Sequence, residues 1–228
     1  HVCGARARLE RIGAVLRIVL LCSALFVTSC GDAPSRPNSL LFVSIDTLRA
    51  DHLGCYGYSK PTSPHLDRLA AQSLRFERAY ATMPTTLPSH AAMLTGQLPA
   101  QLGVTSNQSR VPEDVDTLAE ILARCGLQTA AFVSAVPLHR TRGLAQGFEV
   151  YDEPSTAERQ RRGDVTSAAA SAWLRAHAQQ PFFAFVHLYD PHTPYDAPHE
   201  YRAAFDAPAG VQPEQFGFLA QPAGVGAD

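Results

Sequence analysis

Three observations predict an α/β fold, three layers deep (α/β/α), with a largely parallel central sheet. Short apolar runs, rich in β-branched or aromatic residues, recur at 40–45, 129–133 and 181–188. Segments with apolar residues at helical spacing alternate with those runs. The runs are apolar nearly throughout instead of alternating with polar residues, the pattern of parallel strands covered on both faces by helices.

Taken in order, Leu40-Leu41-Phe42-Val43-Ser44-Ile45 reads as a strand buried on both faces and ending at Asp46. Ser63-Pro64 opens a helix reaching to about Ser73, with Ser63 as cap and Pro64 in the first turn. Leu66, Leu69 and Ala70 share one face of it. Residues 74–80 read as a strand, and 88–94 begin a second helix. Residues 115–125 repeat the helix signal, with Leu118, Ile121 and Leu122 at helical spacing and Gly126 as the stop. Thr129 to Val133 is the next strand; Asp164 to Ala178 is a fourth helix carrying Val165, Ala169, Trp173 and Leu174. Residues 181–188 form a further core strand, and no internal repeat is visible. Ligand groups in such sheets collect beyond the carboxyl ends of strands, where Asp46 and residues 187–192 fall.

With 228 residues, 46% hydrophobic and 18% charged, the composition is that of a folded chain of about one domain. The formal charge of −2 is uneven: residues 1–29 hold Arg6, Arg8, Arg11 and Arg17 against Glu10, a net +3, which leaves −5 on the remainder. No basic run of useful length appears, so nucleic acid is excluded as a partner. The basic start leads into an apolar stretch, Ile18 to Val27, with small residues after it, as in a secretory signal. That stretch is short of the roughly twenty apolar residues a membrane-spanning helix needs. Val27-Thr28-Ser29-Cys30 resembles the lipobox of bacterial lipoproteins. This resemblance implies a signal peptide over 1–29, a membrane lipid anchor on Cys30 and a place in the cell envelope, facing periplasm or exterior. Residues 30–39 then make a polar tether, 40–206 a catalytic domain and 207–228 an irregular tail. Because the chain opens on His1 and closes in an Ala/Pro/Gly-rich stretch, it reads as a fragment lacking a C-terminal portion. Gly31, not Asp, follows Cys30, which favours export onward from the inner membrane. Of the remaining cysteines, Cys55 and Cys125 are expected to be buried as small apolar side chains.

The segment 82–96 carries the most chemistry. Thr86 sits two residues before Pro88, just ahead of a helical run. A side-chain oxygen at a helix N-terminus stands among unpaired N–H groups and a dipole that favours negative charge. A nucleophile for a sulfate or phosphate ester needs such a place; a Pro-rich turn with a Ser cap is the alternative. A divalent cation held by carboxylates polarises such an ester and lowers the pKa of an attacking hydroxyl. Asp46, at a strand end, is a rigid first ligand for it.

Asp46-Thr47-Leu48-Arg49-Ala50-Asp51-His52-Leu53-Gly54-Cys55-Tyr56-Gly57 resembles the first metal-binding motif of the sulfatase family, within the alkaline phosphatase superfamily. Thr86-Leu87-Pro88-Ser89-His90 followed by Leu94-Thr95-Gly96 is similar to its nucleophile motif. Pro181-Phe182-Phe183, then Asp190-Pro191-His192-Thr193-Pro194-Tyr195, resembles a third segment, and the three stand in family order. The resemblance implies an alkaline-phosphatase-like fold, incomplete at the C-terminus, and hydrolysis of sulfate esters. It also implies a calcium ion, with zinc or manganese left open.

By the same resemblance Thr86 is the nucleophile and a metal contact, Asp46 a metal ligand, and His90 and His192 the ester-binding groups. Several positions depart from the family pattern. Thr47 stands where a second carboxylate is expected. Thr86 replaces the Cys or Ser that becomes formylglycine, so a phosphotransferase forming phosphothreonine is an alternative. His90 replaces an Arg, and a cationic His90 would make activity fall as pH rises. The family Lys after the next core strand is missing, with His139 as a partial substitute. The later metal-ligand pair has no counterpart. These departures also admit a noncatalytic envelope protein that binds sulfated or phosphorylated glycans. His187 reads as a core histidine, and Asp190 as either an orienter of His192 or a cap of the Pro191 turn.

Overall fold

In the computed structural model the described residues are 39–155, 157–195 and 197. The signal, Cys30, nearly all of the tether, the end of the expected domain and the tail lie outside them.

Four strands form one sheet: β1 (Ser39–Ile45), β2 (Gln128–Val133), β3 (Val150–Asp152) and β4 (Phe182–Leu188), in the spatial order β1-β4-β2-β3. β2 runs parallel to β4, with Val133 opposite His187, and parallel to β3, with Phe132 opposite Asp152. The Asp46 N–H donates to the Leu188 carbonyl at 2.9 Å, which brings the end of β1 beside the end of β4.

Among the described residues five α-helices accompany the sheet: α1 (Pro64–Ala70), α2 (Thr86–Thr95), α3 (Pro99–Leu102), α4 (Leu118–Arg124) and α5 (Gly163–Ala176). Strand alternation divides the core. Ala131, Val133, Phe183 and Phe185 pack with Leu87, Ala91 and Leu94 of α2 and Ala119 of α4. Ala130, Phe132 and Val186 pack with Ala170 of α5, flanked by Trp173. Two apolar layers, one on each face, are what a period of two produces when helices cover both sides. The expected three-layer arrangement is therefore present.

Some boundaries move, each for a local reason. The second helix begins at Thr86, two residues before the expected Pro88. Pro88 is tolerated because first-turn N–H groups have no intrahelical partner to lose. The helix expected from 115 begins at Leu118, because Thr117 and Glu120 close a reciprocal capping box. Replacing the buried Thr117 with Ala should lower unfolding free energy by about 1–2 kcal/mol, measured by denaturant titration. Ser63 does not cap α1 through its side chain; its Oγ accepts from the Gly54 N–H and donates to Asp67.

Three expectations are corrected. Residues 74–80 are not a strand; Arg75 and Tyr56 pin the segment to residues 55–56 through the Cys55 and Phe76 carbonyls. β1 is not buried on both faces: it has a neighbour on one side only among the described residues, leaving Leu41 48% and Val43 47% exposed. Cys125 is exposed and Cys55 half-buried, both as free thiols. The three-residue β3 was not anticipated, being too short for a period to show.

Candidate active site

The end of β1 and the first turn of α2 meet at one cavity of about 560 Å³, lined by Asp46, Thr47, Thr85, Thr86, Ser89 and His90 among others. Thr85 is the N-cap in extended backbone, so Thr86 is the first helical residue. The Leu87 N–H is satisfied by Asn107 Oδ1 at 2.8 Å, while Thr85 Oγ1 is buried without a partner.

Asp46 and Thr86 are buried and brought together. Burial alone would raise the Asp46 carboxyl pKa. A hydrogen bond and charge from His187, then the Thr86 side chain and His90, outweigh that and hold it below the usual carboxylate range. The bond is between His187 Nε2 and Asp46 Oδ2, at 3.3 Å. Thr47 has φ of 54°, a left-handed conformation that a β-branched residue rarely adopts.

His90 is placed differently from expectation. Its Nδ1–H donates to the Thr86 carbonyl at 2.7 Å, one helical turn back, and its Nε2 accepts from the Ser44 hydroxyl of β1 at 2.9 Å. A carbonyl can only accept, so the proton is on Nδ1. Burial, reinforced by His187, pushes the His90 pKa down to about 4. The expected cation is therefore absent near neutrality, and both ring nitrogens are engaged within the protein.

His192 is not among the residues lining the cavity. It is partly exposed, donates from Nδ1 to the Thr193 carbonyl at 2.7 Å, and stacks on Tyr189 at 4.3 Å. Tyr189 in turn leans on His187 at 5.9 Å. Burial and the nearby Asp46 charge push the Tyr189 phenol up to about 12, against the pull of Arg159. Asp190 neither orients His192 nor caps its own turn: Oδ1 accepts from the Gly163 N–H at 2.9 Å, capping α5. A Cβ at Gly163 would lie 2.3 Å from Asp190 Oδ2, so any other residue there would displace that carboxylate. His139 does not replace the missing Lys; it is held by Thr141 and by Glu153 at 3.4 Å.

His187 is buried as the sequence reading of a core histidine expects, but its place beside Asp46 was not anticipated. It is fully buried, touches Asp46, and meets His90 edge-to-face at 4.9 Å. The signal was available: 183, 185 and 187 share one side of β4, and that side faces α2.

Among the described residues no Lys or Arg lines the cavity, and the one formal charge in that lining is the Asp46 carboxylate. Asp46 is a suitable hard-cation donor, but Thr47 adds no carboxylate. Among the described residues no group of three or more His, Cys, Asp or Glu could hold a metal. The described donors thus fall short of a complete cation site.

The family model described as Sulfatase matches residues 38–215. The chain belongs to the sulfatase family. Human arylsulfatase A is 39% identical over 113 residues, covering 47% of this chain and 22% of that protein. The delta 4,5-hexuronate-2-O-sulfatase of Bacteroides thetaiotaomicron is 28% identical over 72% of this chain and 36% of its own. These curated relatives are thus matched over between a fifth and two-fifths of their length. Among solved structures, the phosphonate monoester hydrolase of Agrobacterium radiobacter superposes with a TM-score of 0.62 at 22% identity, covering 76% of this chain and 45% of that one. That likeness establishes the alkaline-phosphatase-like fold of the sulfatases for this chain.

Proposed function

We propose that this chain carries the nucleophile half of a sulfate-ester hydrolase in which Thr86 attacks directly. The observation that supports it most is the meeting of Thr86, at the first turn of α2, with Asp46 in one cavity. The unpaired N–H groups of that turn favour an anion beside the hydroxyl. The named relatives are sulfatases, which supports sulfate over phosphate as the ester.

In this reading Thr86 Oγ bonds to sulfur and the bridging ester oxygen leaves with its electron pair and takes a proton. Water then cleaves the sulfothreonine and restores the hydroxyl. His192 lies outside the cavity lining, with its proton on Nδ1 toward the Thr193 carbonyl, so a part for it at the leaving oxygen requires its ring to move. A divalent cation held by Asp46 and Thr86, calcium by family resemblance with zinc or manganese open, would supply the positive charge that the described lining lacks. Asp46 is its one carboxylate donor from the lining. Attachment to an envelope membrane through Cys30 belongs to the same proposal.

Turnover of para-nitrophenyl sulfate, para-nitrophenyl phosphate and bis-(para-nitrophenyl) phosphate, with calcium, zinc or manganese and with EDTA, tests it. The expected result is sulfate turnover that a cation raises and EDTA removes. Turnover of the phosphodiester alone favours the phosphotransferase reading, which the threonine itself recommends. No turnover of any ester under any condition leaves a glycan-binding protein and ends the hydrolase reading.

A further inference from the structure

His90 and His187 are both buried, both lie against the Asp46–Thr86 pair, and both point their nitrogens inward. His90 ties the Thr86 backbone of α2 to Ser44 of β1. His187 ties β4 to the Asp46 carboxylate, across a chain separation of 141 residues. Its ring stands perpendicular to that of His90, with centroids 4.9 Å apart. Phe185, on the same side of β4 as His187, also meets the His90 ring edge-on, at 6.0 Å.

We propose that this histidine pair is a positioning brace: it fixes Asp46 against Thr86 and does not contact the ester. The tautomers follow from the partners. His90 carries its proton on Nδ1, facing a carbonyl, and His187 carries one on Nε2, facing a carboxylate. The other ring nitrogen, His187 Nδ1, is buried with no hydrogen-bond partner among the described residues. An unpaired buried ring nitrogen is destabilising, a cost that a merely structural core residue such as Leu would avoid. What His187 supplies that Leu cannot is the Nε2–H toward Asp46. A brace of this kind does locally what the permanent charge of Arg cannot: it bonds to backbone and hydroxyl without needing a counter-ion.

The inference rests on Thr86 as the attacking group for its kinetic part only. The first measurement is therefore independent of activity: long-range ¹H–¹⁵N correlation spectra of the protein labelled with ¹⁵N-histidine, assigned with His90→Gln and His187→Gln. The Nδ1–H pattern for His90 and the Nε2–H pattern for His187 are expected near pH 7. An Nδ1–H pattern for His187, or rapid tautomer exchange at either ring, overturns the brace whatever the enzyme does. The second is kinetic, on whichever ester the protein turns over. His187→Leu should lower kcat about ten- to hundredfold, the scale for residues that orient a functional carboxylate, with KM nearly unchanged. His187→Gln, which keeps an N–H near the Nε2 position, should recover most of kcat. An equal loss in both variants, or a loss in KM alone, contradicts positioning through that donor. If no ester is turned over, the hydrolase reading fails and the spectra still decide the brace.

Discussion

Thr86→Ala should abolish ester hydrolysis, with kcat falling by about 10⁴-fold or more, the scale seen when a nucleophile is deleted. The structural cost should be confined to the Thr86 side-chain bond to Asp46, because the N-cap position is Thr85. Thr85 remains as the N-cap, and the Leu87 N–H keeps its bond to Asn107. Thr86→Ser should retain much of the activity, since a primary hydroxyl occupies the same place with the same proton. The comparison of the two variants by steady-state kinetics separates loss of the hydroxyl from disturbance of α2. Equal activity in Thr86→Ala and the parent would remove Thr86 from the chemistry.

The second large effect is on stability as a function of pH. The His90 pKa is about 4 in the folded chain against an ordinary 6.5. Between those values the unfolded chain binds a proton at this position and the folded chain does not. Stability therefore rises with pH across that window, and falls as pH drops from about 6.5 toward 4. The difference corresponds to a loss on the order of 3 kcal/mol at the acid end of the window. Asp46 works in the same direction at lower pH, since its depressed pKa gives stability that is lost as the carboxylate protonates. Urea titrations at several pH values, on the parent and on His90→Gln, check this: the variant should lose most of the slope between about pH 4 and 6.5. A parent whose stability is flat over that window contradicts a neutral, buried His90. The same neutrality reverses the expectation from sequence, in which a cationic His90 made activity decline with rising pH.

Asp46 and Thr86 were legible because their chemistry lies in local motifs: a carboxylate closing an apolar strand, and a hydroxyl ahead of a proline-marked helix start. The alternation of apolar runs and helical spacing gave the layers, and the parallel pairings of β2 with β3 and β4 agree. What escaped depends on contacts between distant segments. His187 sits inside an apolar strand, and only the pairing of β1 with β4 shows that its ring meets Asp46. Asp190 capping α5 through Gly163 is likewise a contact across 27 residues that no local pattern announces. His90 was assigned by position in a motif, whereas its bonds to Thr86 and Ser44 follow from burial on the α2 face toward the sheet. The segment at 74–80 had strand-like composition without a neighbouring strand to pair with, and its hydrophobic side chains stay exposed.

The central claim is that Thr86 itself forms the bond to sulfur or phosphorus. Acid-quenching the protein during turnover of its ester, digesting it and mapping the peptide around Thr86 by mass spectrometry tests that directly. A sulfo or phospho group on Thr86, absent from Thr86→Ala, is the predicted result. Continued turnover with the group on another residue, or with Thr86→Ala as active as the parent, would contradict it.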